Sequence, residues 1–435
     1  MTLEMTSQRR VRAMSRPLAA CVAILTLVTA THAAAQTSAR PAPEAGRPLP
    51  PWSEGELDIH HINTGRGEAS FLILPDGTNL LVDASGKTSE QPPFSLPTRP
   101  DASRPPGEWV ARYVQHVLPA GSQRIDYALL SHFHGDHMGA VVADSPRARQ
   151  GGYQLSGITE VAEHLPIGTI IDRGWPDYDY PAPIDDRNMR NYRAFLAWQV
   201  EHRGLAVERF LPGRNDQIRL VHRPDAYPAF EIRNLVANGV VWTGVADETR
   251  NLFPPVESLS PDDHPIENKL SIGFRVSYGG FDYFTGGDLS ANGDETLSPA
   301  DAWKNVETPV GQVTGPVEVM KANHHGSWDA NGAAFLGALR PRVIIVGSRA
   351  EGHPAVNTYQ RMRSQAVWPG PRDIFVTNVS PATFVTTYGV ADAASTQGHV
   401  VVRVAPGGAT YRVLVLDDSD ETLRVKAVFG PYDSN

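Results

Sequence analysis

Ser131-His132-Phe133-His134-Gly135-Asp136-His137 places four ligand-type side chains within six positions. The run just before it, Ile125-Asp126-Tyr127-Ala128-Leu129-Leu130, is short and nearly continuously apolar, as expected of a strand buried on both faces. Residues 138–143 behind it are apolar again. Two histidines at i and i+2 leaving a strand point to the same side, so His132 and His134 can reach one metal ion. Gly135 lets the chain turn sharply, and Asp136 and His137 can then serve a second ion nearby. An ordinary solvated loop has no need of the H-x-H-x-D-H spacing, which is specific to metal chemistry.

Moving outward, residues 57–62 alternate well enough for a strand. Residues 69–74 and 79–83 are apolar runs around Pro75-Asp76-Gly77-Thr78, a hairpin pattern with Asp83 at its end. Residues 87–107 are rich in Pro and Ser and read as a surface insertion. Residues 108–117 have helical spacing, with Trp109, Tyr113 and Val117 on one face. The stretch 173–235 is irregular and rich in Trp, Tyr and Asp, with a helix expected over 189–202. Strands are expected at 270–278, 281–284, 343–346, 373–376, 399–404 and 411–415, with a late hairpin at Pro406-Gly407-Gly408. No internal repeat is found. Strands and helices mixed in this order predict an α/β sandwich rather than a Rossmann-type sheet.

Composition agrees with a globular protein: 435 residues, 41% hydrophobic and 20% charged, enough chain for one large domain or two smaller ones. The first 35 residues read differently. Arg9, Arg10, Arg12 and Arg16 precede an apolar run and then Ala33-Ala34-Ala35, the pattern of a secretory signal peptide cleaved before Gln36. Cys21 precedes the apolar run instead of following it, which argues against a lipid anchor. It is the only cysteine, so the expected mature chain holds no thiol and must bind metal through His, Asp or Glu. Losing four arginines and one glutamate with residues 1–35 takes the net charge from −9 to −12. That balance argues against broad nucleic-acid binding. No apolar run in the mature chain reaches the length of a membrane span, so no transmembrane segment is expected there. The expected organisation is a signal peptide (1–35), a flexible Pro-rich linker (36–54), one large domain (55–415) and a C-terminal strand or tail packed on it (416–435). The expected location is periplasmic or secreted.

The H-x-H-x-D-H segment resembles that of the metallo-β-lactamase superfamily. The resemblance implies an αββα sandwich with His132 and His134 on one metal and Asp136 and His137 on the other. Asp288, in Thr285-Gly286-Gly287-Asp288, would be the bridging ligand, and Asp83 would orient a ligand histidine. Asn323-His324-His325-Gly326-Ser327 resembles the H-H-G-S motif of ComEC-type hydrolase domains and phosphorylcholine esterases. Gly352-His353-Pro354 and Gly65-Arg66-Gly67-Glu68-Ala69 resemble further motifs of that group, the latter with two substitutions from G-Q-G-D-A. On this basis His324 is expected to be a ligand, His325 a donor to substrate oxygen, and His353 the residue completing the second metal. Asp136 and His325 are the expected catalytic residues. Asn268-Lys269-Leu270-Ser271 matches the group's Asn-x-x-Ser segment, which leaves His264 outside the site and His164 a distant candidate. His60, His61, His116, His202, His222 and His399 read as structural.

The implied cofactor is two divalent ions, zinc first, with manganese or iron compatible with the carboxylates. The implied chemistry is hydrolysis by a metal-bridging hydroxide. A phosphoester or phosphodiester is the first expected substrate, and a lactone, thioester or β-lactam amide the alternative. A non-catalytic binding protein on the same fold is the third reading, disfavoured by the full ligand set. The partner expected is a small-molecule or cell-envelope substrate, and a DNA-import role is not implied. Trp175, Tyr178, Tyr180 and Trp242 are expected either to form a lid or to pack beneath a long loop.

Overall fold

The first half of the chain builds one sheet, the second half builds another, and the C-terminus returns to the first. The computed structural model describes residues 43–86, 93–292 and 297–435. The expected signal peptide, and the part of the expected linker up to residue 42, lie outside these residues.

Strands β1 (Leu57–His61), β2 (Ser70–Ile73) and β3 (Asn79–Val82) form an antiparallel meander. Three crossovers follow: α1 (Pro106–Val117) to β4 (Ile125–Leu129), α2 (Ile158–His164) to β5 (Ile167–Asp172), and α3 (Arg187–Arg203) to β6 (Ala206–Arg209). Each new strand runs parallel to the last. The second sheet repeats the plan. Antiparallel β7 (Phe230–Ala237), β8 (Val240–Trp242), β9 (Thr249–Asn251), β10 (Gly273–Tyr278) and β11 (Phe281–Thr285) come first. Then α4 (Glu307–Thr314), α5 (Ala333–Leu339) and α6 (Val356–Arg363) carry the chain to parallel β12 (Val319–Lys321), β13 (Val343–Val346) and β14 (Asp373–Val376). After α7 (Pro381–Thr386), strands β15 (His399–Val404), β16 (Thr410–Leu416) and β17 (Val425–Asp433) rejoin the first sheet beside β1. The sheet orders are β17-β16-β15-β1-β2-β3-β4-β5-β6 and β14-β13-β12-β11-β10-β7-β8-β9.

Three apolar clusters define four layers. Leu72 and Leu80 of the first sheet meet Phe274, Val276 and Phe281 of the second in the central core. Phe71, Ile73 and Leu81, on the other face of the same strands, pack on Val110, Val161 and Phe195 of α1, α2 and α3. Phe284, Met320 and Ile344 pack outward on Val310, Phe335 and Met362 of α4, α5 and α6. This is an αββα sandwich. It explains why β1, β2 and β3 are buried at every position: each has a core on both faces.

The helix ends follow local chemistry. Helix α1 begins two residues before the expected 108, because Pro106 is pre-set for the first helical turn. Helix α3 begins at Arg187, where the Asp186 carboxylate accepts the Met189 N–H, and ends at Gly204 in a left-handed conformation. The strand expected from 270 starts at Gly273, since Glu267–Leu270 is a 3-10 turn. Residues 43–54 are not a free tether. Leu49 and Trp52 pack on the helix-side core, Gly46 N–H donates to Val425 O and Leu49 N–H to Leu423 O. No helix among the described residues is long and apolar enough to cross a membrane.

Glu160 in α2 is buried, and burial together with the nearby Glu108 carboxylate pushes it from 4.5 up to about 7. The folded chain therefore holds this proton where the unfolded chain has lost it. Stability from this group is complete below pH 4.5 and is lost as pH rises towards 7. Glu160→Gln should match the wild type at pH 4 and be more stable at pH 8 by about 1–3 kcal/mol; chemical denaturation at both pH values checks this, and equal stability at pH 8 contradicts it.

Candidate metal centre

Every polar residue at the centre of the site follows the C-terminal end of a strand in one of the two parallel runs, except Glu68, which lies between β1 and β2. Asp83 follows β3, His132 to His137 follow β4, Asp288 follows β11, His324 and His325 follow β12, and Arg349 and His353 follow β13. Parallel strands place such loops together at one edge of a sheet, and two facing sheets bring two such edges together.

Two donor groups result. Asp136, His137, Asp288 and His325 form one, and His132, His134 and Asp288 the other; within each, one donor atom per residue lies within 4.8 Å of the rest. Asp288 belongs to both. His137 Nδ1 donates to Asp83 at 2.8 Å and His325 Nδ1 donates to Gly347 O at 2.7 Å. Both rings therefore turn Nε2 inward, and these two nitrogens stand 3.3 Å apart. His137 Nε2 is also 3.2 Å from Asp288, and His325 Nε2 is 3.3 Å from Asp136. His132 Nε2 lies 3.1 Å from His134 Nδ1 and 3.7 Å from Asp288. Asp288 Oδ1 is buried without a hydrogen-bond donor. Lone pairs converging in this way, out of water, fit a divalent cation.

The electrostatics point the same way. Burial alone would raise the carboxyls of Asp136 and Asp288. The His325 hydrogen bond and Arg349 outweigh it at Asp136, the surrounding imidazoles outweigh it at Asp288, and both groups sit well below the usual carboxylate range. Burial would lower His137, yet Asp288 and Asp83 hold it well above its ordinary value. The cluster is built to attract positive charge.

The structure places the adjacent histidines differently from the expected arrangement. His325, not His324, lies in a donor group. His324 Nδ1 pairs with Asp329 at 2.7 Å, and its Nε2 faces Asn268 Nδ2 at 3.2 Å and Asp288 at 3.8 Å. It borders the centre with its ring partly open, the position suited to touching substrate. Both residues have positive φ, 45° and 53°, a conformation that costs roughly 1–3 kcal/mol per non-glycine residue. His353 belongs to neither group. Its ring stacks on that of His325 with centroids 5.2 Å apart. Among the histidines set aside, His60, His61 and His399 are buried in strands of the first sheet. His264 caps a 3-10 turn and joins neither group.

The aromatic quartet packs instead of forming a lid. Tyr178 is buried with its hydroxyl on Asp172, its ring against Phe133 and Trp175. Trp242 donates to Ala246 O. Trp328, three residues beyond His325, is an exposed aromatic, 57% exposed. Other residues had no motif to announce them. Glu267 accepts the Phe133 N–H between His132 and His134 and is itself held by buried Arg173. Arg349 pairs with Asp136, and its Nη1 donates to Phe94 O.

Residues 63–143, which carry the first donor segment, match the sequence profile of the Metallo-beta-lactamase superfamily. Over those residues the chain resembles that superfamily. By fold and donor set it is a metallo-hydrolase. It is 21% identical over 329 residues to ComE operon protein 3 of Bacillus subtilis, covering 72% of this chain and 31% of that one. The chain thus spans less than a third of that relative's length. A solved structure of a mutant CmlA beta-hydroxylase overlaps 75% of this chain and 53% of its own, at 14% identity and a TM-score of 0.38.

Metal counting by mass spectrometry after zinc loading should find two ions in the wild type, one in His134→Ala and in His325→Ala, and none in Asp288→Ala. His353→Ala should retain both; loss of an ion there would return His353 to the ligand set.

Proposed function

We propose that the chain is a member of this superfamily and an exported dinuclear hydrolase of phosphoesters or phosphodiesters, with a small-molecule or cell-envelope substrate. The observation that carries the reading is the pair of donor groups sharing Asp288. Two divalent ions, zinc first, would supply Lewis acidity and a water acidic enough to lose its proton near neutral pH.

The chain's own residues do the rest. Asp83 and Gly347 O fix the tautomers of His137 and His325. Asp329 holds the Nδ1 proton of His324 and aims Nε2 at the centre, where a proton carried on Nε2 can pass to the leaving oxygen. Arg349, beside Asp136, gives the site a fixed cation at its edge. A cation beside the donor groups suits an anionic, phosphoryl substrate better than a neutral carbonyl. The four-arginine segment ahead of an apolar run supports export.

A chromogenic phosphodiester assayed beside a chromogenic β-lactam tests the substrate class. The reading predicts phosphodiester cleavage that His324→Ala lowers about 100-fold in kcat while both ions stay bound. Turnover of the β-lactam alone would replace it with the carbonyl-hydrolase reading. N-terminal sequencing of the protein from a periplasmic fraction should begin at Gln36; retention of residues 1–35 in the cytoplasm would contradict export.

A further inference from the structure

Beneath the donor groups lies a pair of buried charges that makes no contact with the site's open face. Glu68 sits between β1 and β2 of the first sheet and is 3% exposed; Lys321 ends β12 of the second and is 2% exposed. Lys321 Nζ stands 3.5 Å from Glu68 Oε2 and donates to the carbonyls of Gly287 and Ala322, which adjoin Asp288 and Asn323. The backbone of Glu68 reaches the opposite loops: its N–H donates to Asp136 O and its carbonyl accepts from Ser85. Its carboxylate lies 3.3 Å from His325 Nδ1.

We propose that Glu68 and Lys321 are positioning residues: one ion pair, spanning the two sheets, that sets the His325 ring and thereby the donor group of Asp136, His137, Asp288 and His325. The proposal rests on the metal-centre reading above. Several contacts act together. Nδ1 of His325 is held by Gly347 O at 2.7 Å and faces the Glu68 carboxylate, so the ring is fixed with Nε2 turned towards the donor group. Two glycines make room for this. A Cβ on Gly347 would fall 2.5 Å from both Glu68 carboxylate oxygens, and a Cβ on Gly67 would fall 2.0 Å from Asp136 O. A buried carboxylate of this kind needs its cation, because removing one partner alone strands the other charge.

A pair that merely ties two sheets could be replaced by apolar side chains of similar size without disturbing the metal centre. A positioning pair could not. The test is zinc titration of metal-stripped protein against a chromophoric chelator, with thermal unfolding alongside, for the wild type, Glu68→Met/Lys321→Met and Glu68→Asp. The double variant should fold, bind one zinc as the wild type does, and bind the second about 10–100-fold more weakly. Glu68→Asp, which keeps the charge but withdraws it from Nδ1, should fold with its cation still paired and show a smaller loss confined to the same zinc. If the double variant does not fold, Glu68→Asp decides alone. Wild-type affinity for both ions in whichever variant decides overturns the positioning role while leaving the metal centre intact. A wild type that binds no zinc overturns both.

Discussion

Two imidazole nitrogens, His137 Nε2 and His325 Nε2, face each other at 3.3 Å while each Nδ1 is hydrogen-bonded on the far side of its ring. Nothing in a protein interior stabilises that arrangement by itself. Two buried imidazoles are crowded together, and the carboxylates of Asp136 and Asp288 add negative charge to the same space. A cation resolves all of these conflicts at once, and much of the surrounding architecture serves to hold the donors until one arrives.

That holding is costly. Asp83, His324 and His325 all lie in the left-handed region, each at roughly 1–3 kcal/mol. The strain is spread over loops whose roots are parallel strands with buried faces, so the strands do not yield. Each sheet contributes its own loops: β3 and β4 bring Asp83 and the segment from His132 to His137, while β11 and β12 bring Asp288 and His325. The centre exists only where the two edges meet. Contacts that cross the seam therefore matter most, among them Glu68 with Lys321, Glu267 with the Phe133 amide, and Arg349 with Asp136.

What the sequence disclosed follows from how local each feature is. The segment from Ser131 to His137 follows a single strand, so its spacing alone brings His132 and His134 to one side. The alternation of β1, the apolar runs of β2 and β3 and the apolar stripe of α1 are equally local. The roles of His324 and His325 were not, since neighbours of the same type are told apart only by φ and by what Asp329 and Gly347 offer them. His353 reads like a ligand in Gly352-His353-Pro354, yet it is set behind His325 by packing between loops. Strands β5 and β7 escaped notice because the aromatic and acidic residues around them mask their alternation. Those aromatics serve the helix-side core: Tyr178 and Tyr192 both close on buried Asp172.

The central claim is that two donor groups share Asp288 and each holds an ion. Anomalous diffraction from zinc-grown crystals, recorded on both sides of the zinc absorption edge, tests it most directly. The account predicts two anomalous peaks flanking Asp288, one against His132 and His134 and the other against Asp136, His137 and His325. A single peak, or a peak coordinated by His353 in place of His325, would contradict it.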